Sequence, residues 1–159
     1  MVNDKEGLKK NIEIKIKRQF GMTLDEAKKY LKRSIERKVR RQFGLSMKEA
    51  RPYEIYYALS RTMLDYIVEN WYNTSKTYSE GQVKQMYYFS AEFLMGRYMG
   101  NNLMNLQIYK EISEVLSDIG IDINAIEESE MDPALGNGGL GWLAACFLDS
   151  LATLEMPGH

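Results

Sequence analysis

Cysteine, histidine and proline are scarce in this chain of 159 residues, which holds one cysteine, one histidine and three prolines. With Cys146 alone there can be no internal disulfide framework, and so low a thiol count suits a reducing compartment; the expected location is cytoplasmic. A lone His159 and a lone Cys146 supply neither a zinc-ligand cluster nor a Ser/His/Asp arrangement, so no metal is expected. Long apolar runs are missing as well. The richest, residues 140–154, contains Asp149 and falls short of the ~20 residues that span a bilayer, so no membrane partner is expected. The opening residues, MVNDKEGLKK, have no apolar core behind their charges, which excludes a secretory signal.

The remaining composition is that of a globular protein, with 45% hydrophobic and 27% charged residues, too apolar for intrinsic disorder. Its length is that of one ordinary domain. A net charge of −1 conceals an uneven distribution: residues 1–51 hold 16 basic and 7 acidic side chains, residues 52–159 hold 5 and 15. A basic arm of this kind can meet nucleic acid. Here, however, Glu13, Asp25, Glu26, Glu36 and Glu49 interrupt it, and only Phe20, Tyr30 and Phe43 could stack on bases. Solvated helix faces are the expected reading, with no nucleic-acid partner.

Residues 1–52 form a basic helical segment that contains an imperfect repeat. RQFGMTLDEAKKY at 18–30 returns as RQFGLSMKEARPY at 41–53, a spacing of 23. In each copy a glycine, Gly21 or Gly44, suits a left-handed helix end. Thr23 with Glu26, and Ser46 with Glu49, then read as capping boxes. Helices are expected over about 5–20, 24–42 and 53–72, the third with an apolar stripe of Tyr56, Leu59, Met63, Ile67 and Trp71. The polar run 73–84 reads as a loop and the aromatic run 85–91 as a strand. A helix follows from Asn101 or Asn102 to about 119, with Met104, Ile108, Ile112, Val115 and Leu116 on one face and Gly120 at its end. Residues 122–128 read as one short capped turn of helix. The last helix, 140–154, is apolar on nearly every side, the pattern of a helix buried in a larger body, and this marks the chain as a fragment unless it dimerises.

Two segments carry the chemistry. GNGGLG at 136–141 opens that last helix. Glycines allow close backbone approach, and the unpaired amides of a helix N-terminus attract anions, phosphate above all. The same letters fit a dinucleotide fingerprint, but the acidic, proline-containing residues 127–135 are no core strand to precede one. A plain loop-to-helix turn also remains open. The second segment, YYFSAEFLMGR at 87–97, sets Glu92 five residues before Arg97, close enough to orient one another or a polar ligand.

These two segments, about 45 residues apart, together with residues 132–154, resemble the N-terminal region of the glycogen, starch and maltodextrin phosphorylase family. The similarity runs from about Lys32 to His159, including Tyr53 and the residues after it, and Trp71. The resemblance implies an α/β, helix-rich fold: the N-terminal part of the first Rossmann-like lobe of a two-lobed glycosyltransferase (GT-B type) fold, with residues 53–159 forming its start. It implies an enzyme that cleaves an α-1,4-glucan with inorganic phosphate, releasing glucose 1-phosphate, with pyridoxal phosphate as cofactor. The cofactor's phosphate, rather than its aldehyde, assists proton transfer. Glu92 and Asn137 would be the catalytic positions, Gly138 and Gly139 would turn amides to substrate phosphate and cofactor, and Leu140 would touch the glucosyl unit.

The chain departs from the family pattern in several places. The Schiff-base lysine has no counterpart, so the 159 residues alone are expected to be inert. Trp142 stands where arginine is usual, and residues 73–79, where nucleotide-activated members carry arginine, glutamine and tyrosine, read NTSKTYS, so activation by a nucleotide there is not expected. The basic residues 40–51 match a region of subunit contacts, which implies a homodimer at full length. A helical interaction module that binds an acidic partner through the basic repeat is the alternative reading.

Overall fold

A computed structural model describes Gly21 and residues 23–159; the helix expected over 5–20 lies outside the described residues. The chain divides into two units, one of the described residues up to Thr62 with Met99–Ser129, the other of Met63–Tyr98 with Glu130–His159.

In the first unit, α1 covers Leu24–Phe43, as its punctuation predicts. Thr23 and Glu26 close a full capping box, and Gly44 ends the helix at φ 72° with its N–H donated to the Arg40 carbonyl. The face made by Ala27, Leu31, Ser34, Ile35 and Val39 is buried. In the second copy of the repeat, the Ser46 N–H and hydroxyl donate to Glu49 at 2.9 and 2.6 Å. Yet only a single turn forms there. Pro52 pushes the residue before it out of helical geometry, so α2 has to begin afresh and runs over Pro52–Glu80. Glu54 secures that start by accepting from the Arg51 N–H and Nη2, each at 2.6 Å. Ile55, Ala58, Leu59 and Thr62 then fill the core beside α1. Each fully buried Ile or Leu stabilises by about 1.5–3 kcal/mol.

One helix was expected over 101–119, and the structure breaks it into α3, Met99–Asn105, and α4, Tyr109–Ser117. Gln107 adopts a left-handed φ of 59°, and the Ile108 N–H donates back to the Leu103 carbonyl at 3.0 Å. This is a helix-ending motif built without glycine, and the sequence offers no glycine there to announce it. The break re-registers the apolar face, burying Leu103 while Met104, expected inside, is exposed. Ile108, Ile112, Val115 and Leu116 are buried as expected. Gly120 follows α4 at φ 78°, and Asp122 caps α5, Ile123–Glu128.

In the second unit α2 continues beyond its expected end at 72. The polar run that reads as a loop is helical to Glu80, where Lys76 and Glu80 pair at 3.7 Å and Thr77 donates its hydroxyl to the Asn73 carbonyl. Gly81 and Gln82 (φ 46°) then end it. Along the expected stripe Met63 is buried, but Ile67 and Trp71 are exposed.

The strand expected over 85–91 is reduced to one parallel bridge, Met86 with Gly158. Composition made this segment β-prone, but a ladder needs a partner, and backbone hydrogen bonds from residues 157–159 reach only Met86 and Tyr88. Regular pairing comes one step later. β1, Phe93–Leu94, lies antiparallel to β2, Ala134–Leu135, with Phe93 opposite Leu135. The final helix, α6, spans Gly139–Thr153 and buries only Gly141, Ala144 and Ala145. Leu148 and Leu151 are half-buried and the other large apolar side chains are exposed, Leu140 73% and Trp142 66%; this is the surface that a larger body was expected to cover. Phe147 meets Tyr88 edge-on, with ring centres 5.6 Å apart.

Candidate functional site

The glycine loop and the Glu92 segment, 40 or more residues apart in sequence, are laced together within the second unit. β1 pairing with β2 sets Glu92 beside Gly136. Further ties run along both segments. The Met95 N–H reaches the Pro133 carbonyl at 3.3 Å, and the Tyr98 N–H donates to the buried Glu130 at 3.1 Å. Arg97 pairs with Asp132, Nε to Oδ1 3.5 Å, rather than with Glu92 five residues before it. Glu130 and Asp132 were not singled out from the sequence. Their signal was faint: two acids in the run before the loop, with one unmatched arginine upstream.

Glu92 is fixed at its base by Ser90, whose hydroxyl donates to the Glu92 carbonyl at 2.7 Å and accepts the Glu92 N–H at 3.2 Å. Its carboxylate then accepts the Gly138 N–H at 3.3 Å. Around it the glycines are necessary for two physical reasons. Gly136 sits at φ 85°, open to glycine and costly for other residues. Gly138 and Gly141 leave room: a Cβ on Gly138 would lie 3.0 Å from Glu92 Oε2, and one on Gly141 3.2 Å from Glu92 Cβ and from the Leu94 nitrogen.

Gly138 is the N-cap of α6, and the Gly141 and Trp142 N–H groups return to its carbonyl at 3.1 and 3.3 Å. Two donors remain at the helix end. The N–H groups of Gly139 and Leu140 have no acceptor among the described residues, both residues are exposed, and the position of a Gly139 Cβ meets nothing within 4 Å. The Gly138 amide was expected to face an anion but is turned to Glu92, so the open amides are one residue further along. Asn137 is exposed, with no hydrogen-bond partner among the described residues, and the Leu140 side chain stands free beside the amides.

The other candidates are not part of this constellation. Cys146 is an exposed free thiol further along α6, and its carbonyl accepts from Ser150. His159 stacks on Tyr87, with centres 5.2 Å apart, and its Nε2 meets Gln85 at 2.8 Å. No group of three His, Cys, Asp or Glu among the described residues is arranged to hold a metal, and no described helix is long and apolar enough to cross a membrane.

A helix N-terminus with two free amides, braced by a carboxylate and flanked by an exposed leucine, is able to receive an anion attached to an apolar-faced group. Comparison with known proteins agrees with the family read from the motifs. Residues 116–159 match the carbohydrate phosphorylase family. The chain is 46% identical over 106 residues to glycogen phosphorylase of Chlamydia trachomatis, covering 67% of this chain and 13% of that protein. It is 44% identical over 108 residues to the muscle form of glycogen phosphorylase of Homo sapiens, covering 68% and 13%. With glycogen phosphorylase of Synechocystis sp. it shares 43% over 104 residues, covering 65% and 12%. The matched part is thus about an eighth of the length of each of these relatives.

Proposed function

Because the chain carries a stretch of the carbohydrate phosphorylase family, we propose that it supplies one wall of the cleft of an α-glucan phosphorylase. That enzyme cleaves the terminal α-1,4-glucosyl bond with inorganic phosphate and releases glucose 1-phosphate. The observation that carries the reading is the pair of open amides, Gly139 and Leu140, at the mouth of α6, within residues 116–159 that match the carbohydrate phosphorylase family. On this reading residues 53–159 open the first Rossmann-like lobe of a GT-B type fold, and the complete protein is a cytoplasmic homodimer.

The geometry supports the following division of labour. The Gly139 and Leu140 N–H groups donate to phosphate oxygens as negative charge gathers there, aided by the α6 dipole. Glu92 holds the loop in the shape that points these amides outward. Leu140 lies against the apolar face of the glucosyl unit, and Asn137 offers its free amide side chain to a sugar hydroxyl. Pyridoxal phosphate is the cofactor implied. The donors present fit only its phosphate end, which would share the open ground before Gly139, beside Gly138; the lysine for its aldehyde has no counterpart in these residues. When bound, the cofactor supplies a phosphate group able to exchange a proton with the substrate phosphate.

The test is a chimera in which residues 53–159 replace the corresponding segment of a glycogen phosphorylase. Phosphate-dependent release of glucose 1-phosphate from maltodextrin is expected. A folded, cofactor-loaded chimera with no such activity would overturn the reading. The 159 residues alone, given maltodextrin, phosphate and pyridoxal phosphate, are expected to yield no product.

A further inference from the structure

Beyond the glycine loop, the first unit presents a feature that the phosphorylase reading does not use. Lys29, Arg33, Arg37 and Arg41 follow at four-residue steps along α1, with Arg40 beside them, and all five are exposed. Their row spans about 18 Å at the rise of an α-helix. Elsewhere in this unit cations find carboxylates: Lys28 pairs with Glu114, Lys110 also reaches Glu114, and Arg51 holds Glu54. None of the five has an acidic partner among the described residues. The opposite face of α1 is buried, so the row is a fixed ridge and cannot turn inward.

We infer that this ridge of α1 is a docking surface for an acidic polypeptide segment of another protein. Four of its five cations are arginines, whose planar fork grips carboxylates two bonds at a time, which lysine cannot do. Carboxylates recurring at helical spacing would match the ridge step for step. A nucleic acid fits less well: among the described residues Tyr30 is the one exposed aromatic side chain of α1, and the exposed Asp25 and Glu26 at the head of α1 repel a continuous phosphate backbone. The subunit contacts expected at residues 40–51 of the complete protein take in Arg40 and Arg41, but for Lys29, Arg33 and Arg37 a second copy of this chain offers no matching surface. In its densest acidic run, residues 127–132, Glu130 is buried and accepts the Tyr98 N–H, Asp132 pairs with Arg97 and Glu127 is half-buried, which leaves Glu128 as the exposed acid of the run without a partner among the described residues, too little to match a row of cations.

The experiment is fluorescence anisotropy on the whole chain with a labelled peptide of about 20 residues, rich in Glu and Asp and long enough as a helix to cover the ridge. Binding that weakens as salt is raised is expected. The double variant Arg33→Glu/Arg37→Glu should weaken it by about tenfold or more, with its helical circular dichroism unchanged. Lys84→Glu, an exposed lysine of the other unit, should leave it as it was. The inference is overturned if the ridge variant binds like the wild type, or if Lys84→Glu loses as much. It is equally overturned if an oligothymidylate binds more tightly than the peptide, or if the chain forms a salt-sensitive dimer that the ridge variant abolishes.

Discussion

The side chain of Glu92 occupies the ground where a side chain on Gly136 would begin. A Cβ placed on Gly136 would lie 2.6 Å from Glu92 Cγ and 2.8 Å from Cδ. The neighbours it would strike belong to the stem of the glutamate, close to its backbone, and can move only if the whole side chain gives up its place and its hold on the Gly138 amide. Gly136 also sits at φ 85°, so Gly136→Ala combines a clash with backbone strain. A loss of about 1–3 kcal/mol is expected on thermal or denaturant unfolding, together with faster hydrogen exchange at the Gly138 amide as Glu92 is displaced. Adding Glu92→Ala should remove the two shortest contacts, keep the one to Glu92 Cβ at 3.0 Å and leave the strain, restoring part of the loss. Full restoration, or none, would show that only one of the two terms operates.

Gly100 looks similar but should behave differently. A Cβ there would come within 2.6 Å of Glu127 Oε1, the far end of a flexible side chain. That oxygen is itself buried without a hydrogen-bond partner, so it loses none by moving. Alanine is also the better helix former, by about 1 kcal/mol, and Gly100 lies within α3. Gly100→Ala is therefore expected to change stability by less than about 1 kcal/mol. Its signature is in Tyr109, whose phenol is held above its ordinary pKa first by burial and then by the charge and hydrogen bond of Glu127. With the carboxylate pushed aside, Tyr109 should titrate lower, though still above 10.0 because burial remains. A tyrosine-resolved NMR titration reads this directly, and an unmoved Tyr109 would refute it.

Punctuation made some of this fold legible before any coordinates. The Thr23/Glu26 box, Gly44, Gly120 and Asp122 each act locally through their own backbone, and each stands at its predicted boundary. What escaped was set by partners distant in sequence. The helical run 73–80 carries loop-like residues but is stitched by pairs such as Lys76 with Glu80. The break at Gln107 uses a left-handed residue that composition does not mark. Strand propensity in 85–91 could not declare that its pairing would reach only Met86 and Tyr88. For the site, the glycine motif identified the loop and the helix it opens. It could not reveal that Glu92 would take the Gly138 amide, since that contact depends on β1 pairing with β2.

The contact between Lys28 and Glu114 gives a pH dependence with a definite sign. The hydrogen bond from Lys28 holds the Glu114 carboxyl below 4.5, and the same bond raises the Lys28 ammonium above 10.5. A lowered carboxyl pKa in the folded state stabilises in full above its unfolded value, and this is lost as pH falls through the folded value. The lysine contribution is present below 10.5 and lost as pH rises through its raised value. Both side chains are partly exposed, so the pair contributes about 0.5–1 kcal/mol after screening. Glu114→Gln should lower Tm near neutral pH, with the gap from wild type closing on acidification below 4.5. A gap that persists in acid would assign the loss to packing instead.

Trp142 sets two effects against each other. It lies in the first turns of α6, 66% exposed, at a position where the resemblance to phosphorylases leads one to expect arginine. Near a helix N-terminus a cation is disfavoured by the dipole, by about 0.3–1 kcal/mol, while arginine's slightly better helix propensity offsets part of this. Trp142→Arg should therefore cost the isolated chain less than about 1 kcal/mol, far less than a buried tryptophan would. For an anion at the Gly139 and Leu140 amides the balance reverses, because a guanidinium one turn away adds the full charge that the apolar ring lacks. In the phosphorylase chimera, Trp142→Arg should lower KM for inorganic phosphate several-fold and leave KM for maltodextrin little changed. If both constants are unaltered, the side chain at this position does not face the phosphate, and the orientation assigned to the mouth of α6 is wrong.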